Sequence, residues 1–490
     1  MSEILKKFEP LFYPRSIALI GASQTAPKWG FGITFSLITG GFKGNIYPIN
    51  LREKEILGLR AYPALADVPD EIDLAIIMIP PARVIDALRD CKQKKVKAAV
   101  IITAGYSEVG AEEKRLEEEL IREIKRTNMV VIGPNCMGIM CLDSDLNAFF
   151  SPATLPRGPL SLVSQSGNVG GSLTFFSELY NIGFNKIVSS GNEAATFCED
   201  IIEYYGEDPG TKTVLAYIEG VDNGRRFFEV AKKVTRNKPI VVLKGGQTEA
   251  GGRACSSHTG ALSGSDSIFD AMCRQTGVIR ADDLDELFLI GATFIGQPLP
   301  RGNRVGIITR GGGWGVLGAD ACASQGLDVV ALPEEVIREM NEFLPSRWSH
   351  GNPVDLAAGG GEEGLFKCME ILLGCSQIDS LMQLGVGVGT LRKRMAKSAQ
   401  AFPQYQEVAK MVLKDSSKQD RRHADVVLKL SRKYNKPIIS YSPSILWGQT
   451  GGSSTVRAFS KAGRVIYPTP LQAARALAAL TRYSEYLRER

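Results

Sequence analysis

Short apolar runs alternate with longer amphipathic segments along the whole chain. The short runs have the length of buried strands, and the segments between them carry helical periodicity. Such alternation predicts βα units wound into parallel sheets. The first block holds five runs, at Ser16–Ile20, Gly44–Ile49, Leu74–Ile79, Ala98–Ile102 and Met129–Ile132. Helices are predicted between them, for example over Arg83–Lys94 and Ala111–Thr127. Five strands with crossovers predict a Rossmann-like sheet. A turn-rich link, Ser151–Pro159, leads to a second block with strands at Leu160–Val163, Phe184–Val188, Val214–Ile218 and Pro239–Leu243. This block reads as a flavodoxin-like sheet. Gln297–Gly302 reads as a second link. The third block restarts at Arg304–Thr309, runs into Gly311-Gly-Gly-Trp-Gly315, and closes with a helix from Pro470 to about Arg488.

Composition narrows the class. A chain of 490 residues has room for roughly three domains. The net charge of +5 is small for that length and does not point to nucleic acid. Nine cysteines are scattered without a C-x-x-C pair, so neither a disulfide scaffold nor a zinc ribbon is indicated. A reducing cytoplasm is the expected location. No apolar run approaches the roughly 18 residues of a membrane helix, and the opening Met1-Ser-Glu-Ile-Leu-Lys-Lys7 lacks the apolar core of a signal peptide. No protein-held metal is expected.

Five segments carry candidate chemistry. Ile20-Gly21-Ala22-Ser23-Gln24 follows a strand and precedes a helix, so its backbone amides could hold a diphosphate. It is not a G-x-G-x-x-G, and the second strand ends Pro48-Ile-Asn50 with no acidic residue for a ribose. A nucleotide-diphosphate ligand other than NAD is therefore expected. Ser164-Gln-Ser-Gly-Asn-Val-Gly170 follows another strand and is read as opening a helix around Gly171–Tyr180. Ser190-Gly191-Asn192-Glu193 repeats that grammar one strand later. Ser166, Gly167, Ser190, Gly191 and Asn192 are the phosphate-binding candidates.

The strand Pro239–Leu243 is expected to empty into a long glycine-rich loop, Lys244–Gly264, with His258 near its tip. An imidazole on a mobile loop could accept a group at one site and deliver it at another. Glu219, in Tyr217-Ile-Glu-Gly220, places a carboxylate at a strand mouth, where it could charge and orient an imidazole. No Gly-Lys dipeptide, G-x-S-x-G or H-E-x-x-H occurs. A phosphate-ready histidine without a triphosphate loop suggests that another polypeptide supplies the ATP site.

Ser256-Ser-His-Thr-Gly260, Gly264-Ser-Asp266, Tyr217-Ile-Glu-Gly220, Ile132-Gly-Pro-Asn-Cys136 and Ser164-Gln-Ser-Gly167 together resemble the nucleoside-diphosphate-forming acyl-CoA synthetases. The likeness is closest to the α subunits of the ADP-forming acetyl-CoA synthetases, with succinyl-CoA synthetase more distant. It covers nearly the whole chain, and Asn352-Pro-Val-Asp-Leu356 and Tyr467-Pro-Thr-Pro470 fit its third domain. The resemblance implies an α/β fold with a Rossmann-like CoA-binding domain at 1–145 and flavodoxin-like parallel-sheet domains at 155–297 and 302–490. It implies that His258 carries phosphoryl from acyl phosphate to ADP, that Glu219 orients it, and that Ser166 and Gly167 hold the phosphate. Gly21, Ala22 and Ser23 would hold CoA phosphates, with Asn50 and Pro80 nearby. Asn135, followed by Cys136, would lie near the thiol and acyl group. CoA is then a substrate, and ATP or ADP with Mg²⁺ would sit on a separate ATP-grasp β subunit in a hetero-oligomer such as α2β2. The other substrate would be a small carboxylic acid or acyl-CoA.

Some residues depart from that pattern. Asn50 is followed by Leu51-Arg52 where many relatives have Pro-Lys, and Trp314 stands where a smaller residue or Pro is commoner. A non-catalytic CoA-binding regulator of the same fold is the alternative expectation. Intact His258 and Glu219 favour catalysis over it. An NAD-dependent dehydrogenase is disfavoured by the missing ribose acid and the two extra domains.

Overall fold

In the computed structural model the described residues are 2–150, 155–259, 265–357, 359–399, 401–447 and 453–489. Inside helices, the side chains of 111, 256–259, 388, 389, 391, 393, 394, 415, 417, 446 and 447 lie outside the description. The backbone forms two compact units, one of residues 1–178 and 183–287, the other of 179–182 and 288–490.

The first unit holds two sheets. In chain order its strands are β1 (Ser16–Ile20), β2 (Asn45–Ile49), a hairpin of β3 (Glu55–Ile56) and β4 (Leu59–Arg60), β5 (Leu74–Ile77), β6 (Ala98–Ile101) and β7 (Val130–Ile132). They continue with β8 (Gly138–Cys141), β9 (Leu146–Phe149), β10 (Arg157–Ser164), β11 (Phe184–Ser189), β12 (Thr213–Ile218), β13 (Ile240–Lys244) and β14 (Ile279–Ala281). The first sheet runs β2-β1-β5-β6-β7 and is parallel throughout. Its central strands are buried on both faces, which is why they read as unbroken apolar runs.

The second sheet runs β14-β13-β12-β10-β11-β8-β9. Its five strands from β14 to β11 are parallel, and β8 and β9 add an antiparallel edge. The stretch just after the first sheet thus belongs to the second sheet. One apolar core continues from Leu19 and Ile76 in the first sheet to Val163 and Val214 in the second. The N-terminal helix, Glu3–Phe12, joins it. Phe12 stacks on Tyr204 with ring centroids 4.8 Å apart. Beside them lies the fully buried Lys186, whose ammonium donates to Asp208 at 2.9 Å and stands 5.7 Å over the Phe12 ring.

The second unit carries β15 (Val305–Thr309), β16 (Val354–Asp355), β17 (Ser380–Leu384), β18 (Ile438–Tyr441) and β19 (Ile466–Tyr467). They pair in the order β16-β15-β17-β18-β19, all parallel. The closing helix spans Pro470–Arg488, where Thr469 caps the Gln472 amide at 3.1 Å. The α/β class with a Rossmann-like sheet followed by flavodoxin-like sheets is as expected from sequence. No helix among the described residues is long and apolar enough to cross a membrane.

Two local expectations need correction. The helix after β10 begins at Gly167, four residues earlier than Gly171. The segment after β13 is not an open loop, since Glu249–Thr259 is an α-helix that includes the backbone of His258. Thr248 accepts the Gly251 amide at 3.1 Å, capping its amino end, and Arg253 pairs with Glu249 one turn earlier at 2.6 Å. These two local bonds offset part of the cost of Gly251 and Gly252 within the helix.

Removing the Phe12 ring tests whether the N-terminal helix is part of the core. Phe12→Ala is expected to lower the unfolding free energy of the first unit by about 3–5 kcal/mol, the usual cost of such a cavity. Equilibrium urea denaturation measures it. A loss well below that range would mean the helix lies on the surface without completing the core.

Candidate active site

The loops that leave the carboxyl ends of β5, β6 and β7 meet the amino end of the helix Gly167–Tyr180. Between them lies a cavity of about 520 Å³. Its wall includes Pro80, Asn135 and Cys136 from the first sheet, and Gln165, Ser166 and Gly167 from the turn after β10. Trp29 and Phe150, with ring centroids 4.4 Å apart, form an aromatic rim. Parallel sheets bind ligands beyond the carboxyl ends of their strands because loops diverge there and helix amino ends point in.

Gln165 organises the inner side. Its side-chain oxygen accepts the backbone amides of Glu219 at 2.6 Å and Gly220 at 3.1 Å. Its side-chain nitrogen donates to the Gly220 carbonyl at 3.0 Å and to the Glu193 carboxyl at 3.0 Å. One amide therefore joins the ends of β10 and β12 to the turn after β11. Glu219 is buried at that junction. The Lys244 ammonium donates to its backbone carbonyl at 2.7 Å, and burial lowers the Lys244 pKa. Burial and the Glu219 carboxylate together hold the Tyr217 phenol far above its ordinary pKa.

The turn after β11 is used differently from the sequence expectation. The Ser190 hydroxyl donates to Glu193 at 2.6 Å and its amide to the Ser164 carbonyl at 2.8 Å. The Asn192 side chain donates to Glu108 at 2.8 Å and accepts from Asn135 at 3.1 Å, while its amide donates to Pro134. Gly191 has φ +64°, and a β-carbon there would stand 2.2 Å from the Pro134 carbonyl oxygen. Ser190, Gly191 and Asn192 staple the two sheets together and do not line the cavity, whereas Ser166 and Gly167 do.

The first glycine turn is also partly committed. The Gly21 amide donates to Ile49 at 3.1 Å and the Ala22 amide to Leu19 at 3.3 Å. Gly21 has φ +93°, and a β-carbon would meet the Met78 carbonyl oxygen at 2.5 Å. The Ser23 hydroxyl accepts the Thr25 amide at 3.0 Å. Asn50 donates to the Ala22 carbonyl at 2.9 Å and accepts the Arg52 and Glu53 amides at 2.9 and 3.0 Å, so it shapes the turn. Cys136 is buried with its thiol donating to the Ile101 carbonyl, and burial pushes its pKa up to about 12. It remains a thiol at neutral pH.

The His258 imidazole lies outside the described residues. Its backbone is in the last turn of the helix Glu249–Thr259. Gln165 and Glu193 are the residues that sequence reasoning left without a role. Their signal was present in the two strand-end turns, where a buried carboxyl needs donors.

Residues 157–294 match the succinyl-CoA ligase like flavodoxin domain, 15–141 the CoA binding domain and 305–389 the ligase-CoA domain. Fold and domain content define a CoA ligase of the succinyl-CoA synthetase type. The α subunit of ADP-forming acetate–CoA ligase I from Pyrococcus furiosus is 35% identical over 487 residues, covering 98% of each chain. The α subunit of ligase II from the same organism is 42% identical over 76% of this chain and 81% of its own. A solved dinucleotide-forming acetyl-coenzyme A synthetase 1 from Ca. Korarchaeum cryptofilum, in complex with phosphate and ADP, superposes with a TM-score of 0.82 at 32% identity, covering 98% of each chain. The chain belongs to the family of ADP-forming acetate–CoA ligase α subunits.

Glu193 yields a pH test. Burial raises its pKa from 4.5 to about 8, against the Ser190 and Gln165 donors that lower it. A raised native pKa stabilises the fold fully below the unfolded value and loses that contribution as pH rises through the native one. Wild-type thermal midpoints should therefore fall between about pH 5 and pH 8 relative to Glu193→Gln, which keeps a neutral side chain throughout. Parallel pH profiles of the two proteins would remove Glu193 as the titrating group.

Proposed function

We propose that the chain is the α subunit of an ADP-forming acyl-CoA ligase, interconverting acyl-CoA, ADP and phosphate with carboxylic acid, CoA and ATP. The observation that carries this reading is the shared cavity. Its wall comes on one side from the CoA-binding sheet, through Pro80, Asn135 and Cys136, and on the other from a helix amino end, through Ser166 and Gly167.

In the first step a phosphate oxygen attacks the thioester carbonyl. The C–S bond breaks, CoA leaves as thiolate, and acyl phosphate forms. The amides at Ser166 and Gly167 hold the phosphate charge without reorganising. An imidazole nitrogen of His258 then attacks phosphorus, and the carboxylate leaves with the P–O electron pair. Finally a β-phosphate oxygen of ADP takes the phosphoryl group, breaking the N–P bond and restoring the imidazole. A nitrogen carrier keeps the transfer potential high and lets CoA chemistry and nucleotide chemistry occupy separate places. Glu219 orients the ring and stabilises its charge. The Ser23 amide, in the turn built by Gly21 and Ala22 and shaped by Asn50, holds a CoA phosphate.

A separate ATP-grasp β subunit brings the nucleotide in this reading, and magnesium travels with it. Among the described residues no three His, Cys, Asp or Glu side chains converge as metal ligands. The chain works in the cytoplasm.

Mg-ATP with the partner subunit should place an acid-labile phosphate on the wild-type chain and none on His258→Ala. Glu219→Gln should slow that labelling by roughly a hundredfold, as expected for losing a catalytic partner. Label persisting in His258→Ala would exclude the carrier role, and the non-catalytic reading expects no label on the wild type.

The full chain should bind CoA and not NAD. Asn50 directly follows β2 and its side-chain amide is already tied to the turn, so no carboxylate awaits a ribose. Calorimetry with each ligand measures this, and tight NAD binding without CoA binding would overturn the assignment of the first sheet.

A further inference from the structure

The second unit has a cavity of its own at the carboxyl ends of β15 and β17, about 170 Å³ in volume. That is room for roughly five or six waters at about 30 Å³ each, or one small organic molecule. In a sheet ordered β16-β15-β17-β18-β19, the loops after β15 and β17 diverge to opposite sides. This is the switch point where open parallel sheets bind ligands.

Gln383, the last residue but one of β17, lines this cavity and is 2% exposed. Its side-chain nitrogen meets the His423 ring nitrogen at 2.6 Å, while its side-chain oxygen is buried with no hydrogen-bond partner. Exchanging the two ends of the amide leaves the same deficit, because one end bonds His423 and the other bonds nothing. A buried polar atom without a partner costs about 1–3 kcal/mol. A ligand group would satisfy it. His423 is half-buried and edge-on to Phe366 at 5.2 Å, and desolvation with the Arg310 charge lowers its pKa to about 3. It enters as a neutral ring.

Two guanidinium groups face the same space. Arg310 donates to the Gly361 carbonyl at 3.1 Å, and Arg392 donates to Gln419 at 2.9 Å. Neither has a carboxylate within ion-pair distance among the described residues. The acids of the wall are engaged elsewhere. Glu362 lies 3.5 Å from Arg422, and Asp420 accepts the hydroxyls of Ser454 at 2.5 Å and Thr455 at 3.2 Å. Two cations with two nearby acids favour a monoanion over a dianion.

We propose that this cavity binds a small carboxylate that also bears a hydroxyl group. The carboxylate oxygens accept from Arg310 and Arg392, in the manner that guanidinium groups hold carboxylates. The hydroxyl serves the unpartnered end of Gln383, since it can donate or accept. The site lies wholly in the second unit, so the proposal does not depend on the ligase reading.

Calorimetry on the full chain, without nucleotide or partner subunit, tests it with lactate, propionate and inorganic phosphate. Lactate should bind, and propionate, which has the same carbon skeleton without the hydroxyl, should bind at least about tenfold more weakly. Arg310→Gln should weaken lactate at least about tenfold, the scale of losing one charge-assisted bond. Gln383→Leu should abolish the preference for lactate over propionate. Circular dichroism and thermal unfolding check that each variant folds. The half-exposed Arg310 keeps the test open if the buried Gln383 variant does not fold. No lactate heat up to tens of millimolar, phosphate binding more tightly than lactate, or unchanged lactate affinity in folded Arg310→Gln would each overturn the proposal.

Discussion

The candidate active site depends on one half-buried amide. Gln165 sits where β10 ends, and its side chain reaches both the β12 turn at Glu219 and Gly220 and the β11 turn at Glu193. Three loops from neighbouring strands are thereby held in one geometry. Without that amide the Glu219 and Gly220 amide hydrogens and the Gly220 carbonyl would need water or a new partner. The amide also keeps Ser166 and Gly167, its immediate successors, at the cavity wall while the turn itself is pinned from behind. A site whose side chains are locked by packing and hydrogen bonds needs little reorganisation when charge develops in it.

The parallel strands of each sheet use the same winding, in which the first lies between the second and the third. In the first sheet that places Gly21 against Met78; in the second, Gln165 against Glu219; in the third, Arg310 near Leu384 and Gly385. Candidate chemistry collects at these points because loops leaving adjacent strands for opposite faces open a crevice. The first two crevices serve one compact unit. The Ser190–Glu193 turn closes the gap between their sheets through Pro134, Asn135 and Glu108. A motif that reads as a second phosphate loop therefore works as a clasp.

Strand positions, helix periodicity and the α/β class were legible along the chain because parallel strands buried on both faces leave unbroken apolar runs. The closing helix from Pro470 was likewise legible, since a proline in the first turn acts locally. Three kinds of information were not local. Glycine content suggested a loop around His258, yet Thr248 and the Glu249–Arg253 pair make the backbone helical through Thr259. The strand-end turns at Ser166 and Ser190 looked alike, and only their neighbours separate a cavity wall from a clasp. The unpartnered end of the Gln383 amide follows from what β17 and His423 leave unfilled.

The sequence by itself determined the parallel winding, the family motifs and the residue types available for phosphate chemistry. These depend on periodicity and on short-range turn chemistry, which neighbouring residues encode. The tertiary structure alone decided which of those residues face a cavity and which are consumed in holding it. Satisfaction of an inward-turned polar group depends on partners many residues away, such as Glu108 for Asn192 and Glu193 for Gln165, and those distances close only when strands pair and sheets pack.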